Sequence, residues 1–350
     1  MSEIPPIRVG VLGLGFMGTT HFRAYRSAAA AGYACEVVAV CDRRDARRNG
    51  SIEGAGNIGN DGAERLFEPG EIRGYSKPEE LFAAADVDLV SVCTYTDSHV
   101  DLACAALESG KHVLVEKPVA LQLDGVRKLQ AVAASSSGRC MPAMCMRFWP
   151  GWTWLRDRVD DASLGPVRRA IFRRVGSPPA WASEFYSDSR RSGSGLFDLH
   201  IHDVDFLYSC FGAPQAVKSE GTQSHVTTHY QYDNGPEVIA EGGWLEPGTE
   251  FCMECEFQFE AGTARFQLGS DIPLTLEQDG VVREIGASDD PRADYETGYD
   301  GEVRRIVRCA LDPSLPLPVT LDDAAAVTTL LGMERASMES GASVSWPSEY

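Results

Sequence analysis

The 350-residue sequence predicts two α/β domains: a doubly wound domain with a parallel sheet over residues 1–146, and a second over residues 147–350 with a large open, mainly antiparallel sheet. Three observations support this. Short apolar runs alternate with helical segments through the first 146 residues, which is typical of parallel βαβ units. A glycine-rich turn follows the first apolar run. Beyond residue 147, polar and apolar residues alternate as they do in half-buried strands.

The first domain contains five strand signals and four helix signals. We predict strands at residues 7–12, 36–41, 88–93, 112–115 and 139–145, and helices at 16–30, 78–84, 99–109 and 122–134. Crossovers this short require right-handed βαβ units. Residues 49–61 carry four glycines and are expected to form a mobile loop.

The second domain shows strand patterns over residues 165–176 and 215–290, with turn signals at 233–236 and 261–262. Two segments are predicted to be helical. One spans residues 196–211 and ends at Gly212. The other spans about 321–339, opens with Thr320-Leu-Asp-Asp323 and ends at Gly341.

The composition excludes several classes of protein. Acidic residues outnumber basic ones by 51 to 32, so the net charge of −19 disfavours nucleic acid and anionic membranes as partners. No apolar run approaches the roughly 18–20 residues of a membrane span, and the N-terminus does not resemble a signal peptide, so we expect a cytoplasmic protein. The closest cysteines, Cys252 and Cys255, fall on opposite faces of a strand pattern, and we predict no metal site.

The glycine turn has the form expected of a nucleotide site. Gly13-Leu-Gly15-Phe-Met-Gly18 fits GxGxxG between a strand and a helix, as in the Rossmann fold, where helix N–H groups bind a pyrophosphate. Asp42, at the end of the second strand, can accept the ribose hydroxyls and would repel a 2′-phosphate, which favours NAD over NADP. Arg43 and Arg44 follow directly and keep NADP possible.

Two further motifs carry reactive side chains. Lys117 lies at the carboxyl end of a predicted parallel strand, where such folds bind ligands, although most strand-end lysines are solvated surface cations. On the predicted 196–211 helix, Asp198, His202 and Asp205 share one polar stripe. A lone helical histidine is more often structural than catalytic, but a carboxylate one turn earlier can orient the ring for general-base work.

Together these motifs resemble the Gfo/Idh/MocA family of oxidoreductases over nearly the whole chain. The similarity comprises the glycine turn, Asp42, Thr94 through His99, Glu116-Lys117-Pro118, Arg147-Phe148, the Asp198–His202 block and Tyr299-x-x-Glu302. The resemblance implies reversible oxidation of a secondary alcohol on a sugar, inositol or related polyol. It also implies a homodimer or homotetramer.

Carried over by position, Lys117, Asp198 and His202 match the family's catalytic trio. His202 would take the hydroxyl proton, Lys117 would stabilise the developing alkoxide, and Asp198 would hold substrate or Lys117 in place. The cofactor contacts implied are Gly13, Gly15, Phe16, Met17, Gly18, Asp42, Arg43, Thr94, His99, Glu116 and Lys117. The substrate contacts implied are Lys117, Arg147, Trp149, Asp198 and His202.

Some features depart from the family or leave alternatives open. His200 stands where many relatives have glycine, so an extra imidazole either enters the pocket or packs beside it. The loop at 49–61 replaces a helix near the adenine position. The tryptophans of residues 147–154, together with Trp181, suit either a sugar ring or interior packing. His225 and His229 share one face of a strand and are expected to be ordinary sheet residues.

Two alternative functions remain open. One is a glycosidase that retains NAD and cleaves its substrate by transient oxidation and elimination. The other is a nucleotide-responsive binding protein without catalysis, which is disfavoured because all three catalytic positions keep reactive side chains. The sequence does not name the sugar, its oxidised carbon or the direction of the reaction.

Overall fold

The computed structural model describes residues 5–52, 64–290 and 297–348. The chain forms two compact units, one of residues up to Met144 with Tyr299–Ala325, the other of Cys145–Gly298 with residues from Ala326 onward. The linear division at 146/147 is therefore corrected: residues 299–325, assigned by sequence to the second domain, belong to the first unit. The physical reason is apolar burial, because Leu321, Ala324 and Ala325 join the hydrophobic core of that unit.

The first unit contains the predicted parallel sheet. Its elements are β1 (Ile7–Leu12), α1 (Phe16–Ala30), β2 (Cys35–Cys41), α2 (Asp45–Arg48), β3 (Ser51–Ile52), β4 (Glu64–Arg65), β5 (Arg73–Tyr75), α3 (Pro78–Phe82), β6 (Leu89–Val92), α4 (Thr96–Glu108), β7 (His112–Glu116), α5 (Leu123–Ser135) and β8 (Cys140–Ala143). The sheet order is β5-β2-β1-β6-β7-β8, with every pairing parallel. From β1 the chain first adds strands on one side of the sheet and then, from β6 onward, on the other. Doubly wound sheets bind ligands at this switch point between β1 and β6.

The predicted elements of this unit are confirmed to within a few residues, apart from the segment after β2. Only the four-residue helix α2 and the short strand β3, which pairs with β4, are described there. Most of the glycine-rich segment 49–61, expected to be a mobile loop, lies outside the described residues. At the other end, the strand predicted to reach residue 145 ends at Ala143.

The second unit contains a nine-stranded sheet. A 3-10 turn (Cys145–Phe148) is followed by α6 (Trp152–Asp161), β9 (Val167–Gly176), α7 (Ser183–Tyr186), α8 (Ser189–Ser192), a π-helical turn (Leu196–His200), α9 (Ile201–Phe211), β10 (Ala216–Gly221), β11 (His225–Gln231), β12 (Glu237–Trp244), β13 (Cys252–Phe259), β14 (Gly262–Gln267), β15 (Leu274–Gln278) and β16 (Val281–Glu284). Among the described strands of this sheet, only β9 and β12 pair in parallel, which confirms that it is mainly antiparallel. Both predicted turns connect neighbouring strands.

Two long helices and a short strand complete the chain: α10 (Gly298–Leu311), α11 (Leu321–Ser340) and β17 (Val344–Ser345). The predicted start of α11 is confirmed by reciprocal capping. The Thr320 N–H donates to Asp323 Oδ2 at 2.8 Å, and the Asp323 N–H donates to Thr320 Oγ1 at 3.1 Å. Within the described ranges, no helix has the length and apolarity needed to cross a membrane.

The segment predicted as one helix over 196–211 is corrected in its first turn. Leu196–His200 is a π-helical turn, and the α-helix proper begins at Ile201. A π turn accommodates one more residue than an α turn, so the polar stripe deduced from a 3.6-residue period does not apply to Asp198. Such turns occur mostly as single insertions and frequently at functional sites.

Candidate functional site

At two positions of the glycine turn after β1, the backbone has room for glycine only. Gly13 has a φ of +87°, and a Cβ built there would lie 2.7 Å from the Cys93 carbonyl oxygen. At Gly18, a Cβ would lie only 1.7 Å from the carbonyl oxygen of Gly13. Gly13 therefore permits the tight turn, and Gly18 permits helix α1 to pack closely against that turn, as the motif predicts.

Gly15 differs, because the space beside it is open. The nearest atom to a Cβ built at Gly15 is Arg47 Nη1 at 4.0 Å. Helix α1 begins at the next residue, and among the described residues no side chain caps it and no acidic residue occupies its first turn. An uncapped helix start beside an open glycine is an arrangement that binds phosphate.

Asp42 lies at the end of β2 and is held against the glycine turn. Its Oδ2 accepts the Leu14 N–H at 2.8 Å and its Oδ1 accepts the Arg44 N–H at 2.8 Å. Arg47 Nη1 lies 3.6 Å from Oδ2, whereas Arg43 is exposed. The turn, the open glycine and the oriented carboxylate together fit a dinucleotide. The guanidinium beside the Asp42 carboxylate belongs to Arg47, which lies four residues after the predicted Arg43 and was not identified from the sequence.

The end of β7 fixes the backbone around Lys117. Glu116 Oε2 accepts the Lys117 N–H at 3.0 Å, and the Lys117–Pro118 peptide is cis. His99 lies with Nδ1 2.8 Å from the Pro118 carbonyl oxygen and Nε2 3.0 Å from that of Thr94. Burial lowers the pKa of His99, although the contacts of its two ring nitrogens with these carbonyl oxygens oppose the shift. His99 thus links the ends of β6 and β7.

Behind this strand end lies a buried ionic cluster that the sequence did not reveal. His21 Nε2 is 2.8 Å from Glu116 Oε1 and 3.3 Å from Glu302 Oε1, and its Nδ1 is 2.9 Å from Ser91 Oγ. The three residues are at most 4% exposed. The Tyr299-x-x-Glu302 motif marks Glu302 in the sequence, but no neighbouring residue indicates that Glu302 contacts His21.

The charges of this cluster follow from burial and pairing. Burial opposes the charged ring, yet the surrounding Cys93, Glu116 and Glu302 raise the pKa of His21 well above its usual range. Burial raises the pKa of Glu116, but its contact with His21 and the nearby charges of Lys117 and His99 together lower it further, so the net pKa is below its usual range. Burial raises the pKa of Glu302 to about 7. Below about pH 7 the favoured state is a His21–Glu116 ion pair with Glu302 protonated, and Glu302 ionises as the pH rises through about 7.

The same three side chains have the atom types of a metal site, with ligand atoms within 4.8 Å of one another. Their spacing favours the ion pair instead. Two ligands of a tetrahedral ion at about 2.1 Å lie about 3.4 Å apart, whereas His21 Nε2 and Glu116 Oε1 are at hydrogen-bond distance.

In the second unit, the π-helical turn and α9 carry the predicted acid–base residues. Asp198 is half-buried in the turn, and His202, in the first turn of α9, is 9% exposed. The Nδ1 of His202 lies 3.8 Å from the Cys145 thiol, a contact that the sequence did not predict. Cys145 is itself buried at the start of the 3-10 turn.

The aromatic and basic residues around Arg147 lie largely in the interior of this unit. Arg147 forms a bidentate ion pair with Asp205, with Nη2–Oδ1 at 2.7 Å and Nε–Oδ2 at 2.9 Å. Trp152 is fully buried, with its ring 4.7 Å from that of Phe206 in an edge-to-face contact. Trp149 is 9% exposed. Packing therefore accounts for Trp152, while substrate contacts by Arg147 and Trp149 stay predictions.

Comparison with known proteins gives two family matches. A model described as the oxidoreductase family with an NAD-binding Rossmann fold matches residues 7–144. A model of the GFO/IDH/MocA C-terminal domain matches residues 152–265.

Individual proteins show the same similarity. An inositol 2-dehydrogenase of Rhizobium meliloti is 31% identical over 208 residues, which is 59% of this chain and 55% of that protein. Inositol 2-dehydrogenase 3 of Saccharopolyspora erythraea is 24% identical over 96% of this chain and 94% of its own length. The crystal structure of an oxidoreductase domain protein from Kribbella flavida has a TM-score of 0.82 at 23% identity, covering 98% of this chain and 100% of that one.

Proposed function

Because the chain belongs to the GFO/IDH/MocA oxidoreductase family, we propose that it is an NAD-dependent dehydrogenase acting on a secondary alcohol of an inositol, sugar or related polyol. Relatives named inositol 2-dehydrogenase support this substrate class. The observation that carries the proposal is the glycine turn, where an open Gly15 and the oriented Asp42 accompany an uncapped helix start.

We assign the chemistry to Lys117, Asp198 and His202. NAD, when bound by the glycine turn and Asp42, supplies the hydride acceptor. His202 takes the proton of the alcohol on its ring, with Nδ1 held near the Cys145 thiol. The Lys117 ammonium stabilises negative charge on the alcohol oxygen, and Asp198 orients the substrate. Glu116 supports this role of Lys117 by fixing its backbone N–H.

We propose a preference for NAD over NADP, because the Asp42 carboxylate repels a 2′-phosphate. Arg47, 3.6 Å from that carboxylate, partly offsets its charge. We therefore expect NADP to bind more weakly than NAD but not to be excluded.

The direct test measures absorbance at 340 nm with NAD⁺ and a panel of inositols, aldoses and sugar acids. We expect a substrate-dependent rise that His202→Ala loses and that His229→Ala keeps, since His229 is exposed on β11. Loss of a positioned base costs roughly 10²–10⁴ in rate. No rise, with NAD(H) released on denaturation, would instead favour the NAD-retaining glycosidase. No rise and no nucleotide binding would refute both enzymatic functions.

A further inference from the structure

His200 lies between Asp198 and His202 in sequence and is completely buried. Its Nε2 is 3.0 Å from Glu334 Oε2, on helix α11. Tyr230, on β11, donates its hydroxyl proton to Glu334 Oε1 at 2.7 Å, and this hydroxyl is 3.3 Å from His200 Nε2. We call His200, Tyr230 and Glu334 the anchor cluster; each is at most 3% exposed.

The neighbouring backbone is shaped to receive this imidazole. A Cβ built at Gly242, on β12, would lie 2.3 Å from His200 Nδ1, so only glycine leaves room for the ring. The start of the π-helical turn is also fixed to the connection between β10 and β11, because the Leu196 N–H donates to the Gln223 carbonyl oxygen at 2.9 Å. A Cβ at Gly195 would meet the Ser224 carbonyl oxygen at 2.1 Å. The turn is therefore held at both ends.

Fixing His200 determines which way its neighbours face. Helical residues two positions apart point to different sides, so an inward His200 directs Asp198 and His202 away from the anchor cluster. A π turn is a distortion that persists when surrounding contacts hold it. The anchor cluster supplies such contacts: the buried Glu334 carboxylate lies 3.0 Å from the His200 ring and accepts the hydrogen bond from Tyr230.

We propose that Glu334 is a positioning residue: through His200 and Tyr230 it holds the π-helical turn in the geometry that presents Asp198 and His202 for reaction. The inference rests on the proposed function for its catalytic consequence. Glu334 is more than 130 residues from His202 in sequence and acts only through the anchor cluster.

The test compares Glu334→Gln and Tyr230→Phe with Glu339→Gln, a control on the exposed side of the same helix. Gln keeps the shape of Glu but removes its charge, and Phe removes only the hydroxyl. We expect both anchor variants to bind NADH as the wild type does, while kcat/KM falls by about 10- to 100-fold in Glu334→Gln and less in Tyr230→Phe. The control should be unchanged.

A second measurement does not depend on turnover. In protein labelled with ¹⁵N-histidine, the ring resonances of His202 should shift in both anchor variants and not in Glu339→Gln. A merely structural role would lower the melting temperature without moving these resonances or kcat/KM well below that temperature. Folded anchor variants with unchanged His202 resonances would overturn the inference. If the wild type oxidises no substrate, the proposed function fails, and the His202 resonances still decide whether Glu334 positions this ring.

Discussion

Replacing Glu302 by glutamine should stabilise the protein, and more so as the pH rises. Glu302 is fully buried beside the His21–Glu116 ion pair, and burial raises its pKa from the ordinary 4.5 to about 7. A carboxyl with a raised pKa binds its proton more tightly in the folded than in the unfolded chain. Its contribution to stability is therefore complete below pH 4.5 and is lost as the pH rises towards 7. Glutamine resembles the protonated form at every pH.

The expected size follows from these two values. Between pH 5 and pH 8.5, the free energy of unfolding of Glu302→Gln should rise by about 2.5 kcal/mol relative to the wild type. For a unit of this size, that corresponds to about 5–10 °C in melting temperature. Thermal unfolding of both proteins across this pH range measures it directly. The pKa of His21 is raised as well, so its ion pair with Glu116 persists through most of the range.

A matched control is Glu108→Gln, at the exposed end of α4 in the same unit, for which we expect no such trend. The reasoning would be refuted by a difference between Glu302→Gln and wild type that does not change with pH. It would also be refuted if the variant became the less stable protein at high pH, because that would mean that ionised Glu302 contributes favourably to the cluster.

Three further changes test other parts of the structure. Gly18→Ala places a methyl group 1.7 Å from the Gly13 carbonyl oxygen, so NADH affinity measured by fluorescence should fall at least about tenfold, and stability by about 1–3 kcal/mol. Arg147→Ala removes the bidentate partner of the buried Asp205 and should cost about 3–5 kcal/mol in urea unfolding. The loss should be smaller when Asp205→Ala is added, and additive losses would contradict the pairing. Asp42→Asn should reduce the ratio of NADP to NAD dissociation constants, and an unchanged ratio would remove Asp42 from cofactor selection.

The nucleotide half of the site could be predicted from sequence because its signals are local. The glycine turn, its flanking strand and helix, and Asp42 all lie within 36 residues of one another. Strand periodicity likewise predicted β13, where Cys255 is buried and Cys252 half-buried. In each case the residues that determine the structure are neighbours in the chain.

The remaining features could not be predicted because they depend on distant partners. His21 pairs with Glu116 and Glu302 from two other elements, and neither pairing leaves a periodic trace. Hydrophobic periodicity predicts an α-helix at the π-helical turn because it does not reveal a single inserted residue. His200 could be recognised as unusual, but its partner Glu334 could not be found from sequence.

One segment, Tyr299–Ala325, contributes both to the hydrophobic core of the first unit and to its buried cluster of ionisable side chains. Tyr299–Ala325 supplies apolar side chains such as Leu321 to the hydrophobic core and, through Glu302, a third ionisable group to the buried pair of His21 and Glu116. His21 and Glu116 already neutralise each other's charge when they form a buried ion pair. Glu302 adds a charge that burial disfavours, and the cluster accommodates it by retaining a proton. Glu116 also accepts the Lys117 N–H, so a chain of contacts runs from Glu302 through His21 and Glu116 to the backbone at the strand end where the proposed chemistry occurs.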